Sequence, residues 1–125
     1  MELIDEIEEL IMMHQEGPYW DFKREWYDDS KDGDLLIDII CMANNLVDRD
    51  AYIIIGVNEE CDYAIQDVSQ DANRRNTQML TDFIRGKKFA GDFRPVVTVE
   101  QVHLDGGLVD VIVVHNSINT PYYLK

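Results

Sequence analysis

Asp21 and Lys23 lie one residue apart in Tyr19–Trp26, a segment rich in aromatic side chains that reads as a strand. Side chains alternate across a strand, so Tyr19, Asp21, Lys23 and Glu25 share one face while Trp20, Phe22, Arg24 and Trp26 share the other. An aspartate and a lysine side by side on a strand face suit metal-dependent cleavage of a phosphodiester. The carboxylate binds a divalent cation, and the ammonium offsets charge on the phosphate or helps to place the attacking water. Such a site needs further oxygen ligands, because Mg²⁺ and Mn²⁺ prefer them. Glu16 stands just before the strand, and Glu59 follows a second, apolar strand in the loop at its carboxyl end. Glu16, Asp21 and Glu59 are therefore the candidate metal ligands, with Lys23 as electrostatic helper. A salt-bridged pair on an edge strand is the competing explanation for this short spacing.

Other chemistries find less support. Neither phosphate-cradling glycine motif is present, so nothing in the sequence supports ATP as a cofactor. Gly106-Gly107 lies between two β-rich runs, where a turn accounts for it. His14, His103 and His115 show no ligand-like spacing. Cys41 falls inside an apolar helix and reads as a small buried hydrophobe. Two cysteines are too few for a disulfide scaffold or a four-ligand zinc site. Tyr122 and Tyr123 offer either a stacking surface for bases or packing near the end of the chain.

The net charge of −14 argues against a freestanding, nonspecific nucleic-acid binder. Its distribution is uneven. Residues 1–62 hold 18 acids and four bases, while residues 63–125 hold seven of each. Arg74, Arg75, Arg85, Lys87, Lys88 and Arg94 face only Asp82 and Asp92 over residues 74–94, a local +4. A polyanion would bind through Arg74, Arg75, Lys87, Lys88 and Arg94, or through cations held by the acids. Ordinary solvated faces are the alternative.

The elements that must position these residues can be read in order. Residues 2–14 form an amphipathic helix, with Leu3, Ile4, Ile7, Leu10 and Ile11 at three- and four-residue spacing. Gly17-Pro18 ends it. Asp34 is a plausible N-cap for a helix over 35–46 that is apolar almost all round and so expected to be buried. Residues 51–57, β-branched and uninterrupted, read as a central strand with both faces covered. A helix is expected over 72–85, with Met79, Leu80, Phe83 and Ile84 inward. Residues 95–102 and 108–114 flank Asp105-Gly106-Gly107 as an antiparallel hairpin. The 125 residues, 46% hydrophobic, suit one compact domain of α/β (α+β) class: a mixed β-sheet with packed helices and a C-terminal hairpin. The acidic N-terminus is unlike a secretory signal, and no apolar run is long enough for a membrane helix. A cytoplasmic location is expected.

Taken in order, four segments resemble a known family. Glu16-Gly-Pro-Tyr-Trp-Asp21-Phe22-Lys23 is similar to its E-x-x-x-x-E-F-K motif, and Ile40-Cys-Met-Ala43-Asn44 to a helix ending A-x-A-N. Ile53-Ile-Ile-Gly56-Val57-Asn58-Glu59 is similar to I-I-G-V-x-[D/E], and Ser117-Ile-Asn-Thr-Pro121-Tyr122 to S-x-x-x-P-[YH]. The family is the Schlafen AlbA-type domain, described as DNA- or RNA-binding and once classed with divergent ATPases. The resemblance covers roughly residues 14–125. It implies an N-terminal α/β domain of a longer bacterial or archaeal protein, often joined to winged-helix or other regulatory modules such as those of transcriptional regulators. In the animal branch it implies a metal-dependent endoribonuclease site of three acids, which map here to Glu16, Asp21 and Glu59, with Lys23 at the lysine position. Two departures stand out. Asp21 is one methylene shorter than the usual glutamate, and Asp50-Ala51 replaces a Gly-Gly whose positive φ it must avoid.

Three roles stay open on the sequence. One is a nucleic-acid-interacting domain working through the basic segment, and another is a metal-dependent RNase using Glu16, Asp21, Lys23 and Glu59. The third is a non-enzymatic regulatory or assembly domain, whose partner is a second copy or the remainder of a longer chain.

Overall fold

The structure, a computed structural model, describes residues 1–125. Three helices, α1 (Leu3–Met12), α2 (Asp32–Ala43) and α3 (Thr77–Arg85), pack on a four-stranded mixed sheet. The strands are β1 (Trp20–Lys23), β2 (Ala51–Ile55), β5 (Val97–Leu104) and β6 (Gly107–Val114), in the spatial order β1-β2-β6-β5. β1 runs parallel to β2, and the other neighbours are antiparallel. Between β2 and α3, β3 (Val57–Asn58) and β4 (Ala64–Ile65) pair as a small antiparallel ribbon. The fold class, the packed helices and the C-terminal hairpin match the expectation from sequence. No helix is long and apolar enough to cross a membrane.

Strand alternation builds two cores. Ala51, Ile53 and Ile55 of β2 join Ile112 and Val114 of β6 beneath Leu35, Leu36 and Ile39 of α2 and Leu80 and Ile84 of α3. On the opposite face, Tyr52 and Ile54 join Trp20, Phe22, Val109 and Val111 beneath Ile7, Leu10 and Ile11 of α1. Every residue of β2 is buried, as expected of a central strand covered on both faces.

Several boundaries differ from the sequence reading, each for a physical reason. β1 stops at Lys23 because its only neighbour, β2, ends at Ile55; the last bond is from the Gly56 N–H to the Lys23 carbonyl at 2.7 Å. Past that point the alternation is lost. Trp26 does not share a face with Trp20 and Phe22, but turns with Tyr27 into the α2/α3 core. There the Trp26 backbone N–H donates to Asp71 at 2.9 Å and its indole N–H to Asp110 at 2.8 Å.

The second helix starts earlier than expected, at Asp32. A 3₁₀ turn over Asp29–Lys31, capped by Asp28 accepting from the Ser30 N–H at 2.9 Å, feeds directly into it. Asp34 thus lies in the first turn, where its charge suits the helix dipole, and is not the cap. The helix ends at Ala43 because Asn44 and Asn45 bond outward, to Tyr122 and Arg49 respectively. Only one side of α2 meets the sheet, so Ile37 is 58% exposed and Cys41 lies on the surface, not in the core. The third helix begins at Thr77, where Asn76 caps the Met79 N–H at 2.9 Å. Leu80 and Ile84 point inward as expected, but Met79 is half exposed.

The expected strand over 51–57 breaks at Gly56, whose φ is +116°. A Cβ there would meet the Gln66 carbonyl and a Val109 methyl at 3.1 Å, so both conformation and space call for glycine. The left-handed residue before β2 is Asp48, at φ 59°, and neither Asp50 nor Ala51 takes a positive φ. The hairpin turns at Asp105-Gly106, with Leu104 opposite Gly107.

Candidate metal centre

Three separate local devices bring the acids together. Asp21 and Lys23 alternate with the buried Trp20 and Phe22 on β1, and so stand on the partly open side of an edge strand. Glu16 is folded back toward them by the Gly17–Trp20 turn. The Gly17 N–H donates to the Trp20 carbonyl at 3.2 Å, and the Trp20 indole N–H to the Gln15 carbonyl at 2.8 Å. The indole lies so close over Gly17 that a Cβ there would come within 2.1 Å of a ring carbon. Glu59 arrives from the other side. The turn at Gly56 redirects the chain through β3 into a 3₁₀ turn over Glu59–Cys61, whose Glu60 N–H is capped by the Asn58 side chain at 3.1 Å.

One carboxylate oxygen from each of Glu16, Asp21 and Glu59 lies within 4.8 Å of the other two. Asp21 is the innermost, with its side chain 15% exposed. Burial, followed by a hydrogen bond with Glu16, pushes its pKa up to about 6, against the pull of Lys23. Lys23 Nζ lies 3.6 Å from Asp21 and 3.4 Å from Asp38 on α2. Burial would lower the lysine pKa, but these two carboxylates outweigh it and the net direction is upward, so the ammonium stays charged. The Tyr27 hydroxyl donates to Asp38 at 2.6 Å, fixing the acid that holds the lysine. Burial and the neighbouring Asp38 drive the phenol pKa well above its ordinary value, which keeps it a proton donor. Sequence reasoning missed Asp38, although it is the lone charge in the run Leu35–Met42.

The basic positions are not brought together at this centre. Arg74 grips Asp110 with two bonds of 2.9 Å, and Asp110, 1% exposed, also accepts from the Trp26 indole. Arg75 donates to Asp32 at 3.0 Å and to the Tyr27 carbonyl at 2.7 Å, with 12% of its side chain exposed. Both arginines thus tie loops to the core. Asp110 was also unremarked in the sequence, though a carboxylate inside the β-branched run Leu108–Val114 signals a buried partner. Lys87, Lys88 and Arg94 follow α3. Lys87 lies over the Phe83 ring, Lys88 is exposed, and Arg94 donates to the Lys87 carbonyl at 3.0 Å. The C-terminal segment runs alongside, its Lys125 N–H bonding the Lys88 carbonyl at 3.0 Å. Tyr122 is buried against Phe89, whereas Tyr123 is 61% exposed.

The all-carboxylate donor set suits a hard divalent cation such as Mg²⁺ or Mn²⁺. Oxygens on opposite sides of an Mg²⁺ ion stand ~4.2 Å apart, at about 2.1 Å from the ion each. The observed spacing therefore needs only a small inward movement of flexible carboxylates. The shorter Asp21 side chain does not keep the three acids from converging.

No curated protein matches this chain. A family model described as Schlafen, AlbA_2 matches residues 16–125, a span that opens on Glu16 and takes in Asp21, Lys23 and Glu59. With nearly its whole length covered by that match, the chain belongs to the Schlafen AlbA_2 family.

Proposed function

We propose that this nucleic-acid-related domain is a divalent-cation-dependent nuclease that cleaves phosphodiester bonds at the Glu16–Asp21–Glu59 centre. One observation carries the reading: three acids from separate parts of the chain converge within 4.8 Å beside a lysine held between two carboxylates. Burial, and then the hydrogen bond with Glu16, raises the Asp21 pKa, and a bound cation would offset that cost by favouring the ionised carboxylate.

A cation bound by Glu16, Asp21 and Glu59 would activate water and offset charge on the scissile phosphate. The chain's own residues divide the remaining work. Lys23 presents a fixed positive charge to a phosphate oxygen at the centre, where charge grows in the transition state. Asp38 and Tyr27 hold its ammonium in place. Buried Trp20 and Phe22 anchor the strand from below and keep Asp21 and Lys23 from shifting.

A second reading, nucleic-acid binding without cleavage, is favoured by the surface after α3. There Lys87, Lys88 and Arg94 are joined by Lys125, with Phe93 and Tyr123 exposed beside them as stacking faces. Of the five basic positions, Arg74 and Arg75 can contribute to it only by leaving their internal partners.

The test is a cleavage assay on labelled transfer RNA and single-stranded DNA, with Mn²⁺ or EDTA, using wild type and Glu59→Gln. Cutting in Mn²⁺ that is lost in EDTA and in the variant is the expected result. A salt-sensitive gel shift with no cutting would replace the nuclease by the binding domain.

A further inference from the structure

Of the four basic residues in the strongly acidic first 62, three, Lys23, Arg24 and Lys31, line one cavity of about 320 Å³. It opens between the end of β1 and the start of α2, where the three cations alternate with the acids Glu25, Asp34 and Asp38, and Trp26, Tyr27 and Ile37 complete the lining. A second hollow of about 290 Å³ contains Glu59 of the triad and shares Lys23 and Arg24 with the first. The two hollows thus meet at the carboxyl end of β1, on the side of an α/β sheet where ligands commonly bind.

The three cations differ in how they are engaged. Lys23 is held between Asp21 and Asp38, as its role at the centre requires. Arg24 is 58% exposed, with only its sequence neighbour Glu25 at a loose 3.8 Å. Lys31 is exposed on the 3₁₀ turn before α2 and has no ion-pair partner. Two uncommitted cations therefore flank a cavity that carries an exposed apolar side chain, Ile37, and adjoins the triad.

We propose that this cavity is the subsite for the nucleotide next to the scissile bond. Arg24 and Lys31 contact its phosphates, and Ile37 supplies an apolar surface for its base. At about 320 Å³ the cavity sits at the small end of the range for ligand pockets, ~300–1,000 Å³, which suits one nucleotide of an extended single strand and no duplex. The assignment rests on the reading of nucleic acid as substrate. It adds which residues grip the strand and that the strand must extend past the cleaved bond.

The experiment measures binding by fluorescence anisotropy in EDTA, where cleavage is silent. Labelled single-stranded oligonucleotides of two to eight nucleotides are titrated against wild type, Arg24→Ala, Lys31→Ala and the double variant. Both side chains are exposed, so folding is not at stake. Each single variant is expected to weaken binding of the longer strands roughly three- to tenfold at low salt. Each should also reduce the slope of log K against log salt by about 0.7. Unchanged affinity and slope in the double variant would overturn the proposal. The same proteins assayed in Mn²⁺ separate the two readings. Cleavage whose KM is indifferent to both substitutions refutes the subsite and leaves the nuclease standing. Binding lost in the variants, with no cleavage by wild type, keeps the cavity as a contact for single strands but refutes the nuclease and, with it, any place beside a scissile bond.

Discussion

Replacing Asp21 with asparagine removes one negative charge from a cluster where burial and Glu16 push that carboxyl up to about 6, from the ordinary 3.8. At ~1.4 kcal/mol for each tenfold change in proton affinity, the difference amounts to about 3 kcal/mol of strain in the ionised, cation-free protein. Part of this is relieved by water, because the site is open on one side, so a gain of about 1–2 kcal/mol is expected of Asp21→Asn at pH 7. For a domain of this length that raises Tm by roughly 3–10 °C. The amide still accepts from the Phe22 N–H, now made to Asp21 at 2.8 Å, and Asp38 still holds Lys23, so no new unpaired group is created. The sign with pH follows from a folded pKa raised above the unfolded one. The penalty is full above pH 6, declines as pH falls through 6, and is gone near 3.8. The gap in Tm between variant and wild type should therefore be widest near pH 7 and close by about pH 4. Divalent cation should reverse the order. At a hundred times its Kd, Mn²⁺ adds about 2.7 kcal/mol to wild type and far less to the variant. The assay is thermal denaturation in EDTA and in Mn²⁺ across this pH range. A variant less stable than wild type in EDTA at pH 7, or one that responds equally to Mn²⁺, would refute the reasoning.

Three further outcomes are expected. Arg74→Ala leaves Asp110 charged and buried with the Trp26 indole as its remaining side-chain donor, and should cost about 3–5 kcal/mol in urea denaturation; an unchanged midpoint would mean that the ion pair is not structural. Gly56→Ala forces a Cβ into a positive-φ turn against Gln66 and Val109, costing about 1–3 kcal/mol and weakening Mn²⁺ binding through Glu59; wild-type calorimetry and stability would contradict this. Lys87→Ala and Lys88→Ala should leave Tm unchanged while each lowers the salt slope of RNA binding by about 0.7; a slope equal to that of wild type would remove them from the interface.

Much of this architecture is written in short-range pattern. The β-branched run at 51–55 and the two runs around Asp105-Gly106 declare a central strand and a hairpin, because burial on both faces leaves no room for polar residues. The acids were legible as Glu16, Asp21 and Glu59 because strand alternation and a carboxyl-end loop are local facts. What escaped depends on contacts distant in sequence. Trp26 changes side because β1 runs out of ladder at the end of β2, about thirty residues away. Arg74 looks free in sequence but meets Asp110, 36 positions on. Asp38 looks like a flaw in an apolar helix until Lys23 and Tyr27 are seen against it. Charge counts alone cannot distinguish a cation committed to the core from one left for a ligand. That distinction moves attention from Arg74 and Arg75 to Arg24 and Lys31.

The central claim is that Glu16, Asp21 and Glu59 form one divalent-cation site. Crystals grown or soaked in Mn²⁺, with anomalous diffraction recorded, test it most directly. The account predicts a strong anomalous peak between the three carboxylates, absent from crystals of Glu59→Gln. A Mn²⁺ peak elsewhere, or none at saturating Mn²⁺ with the three acids still apart, would contradict it.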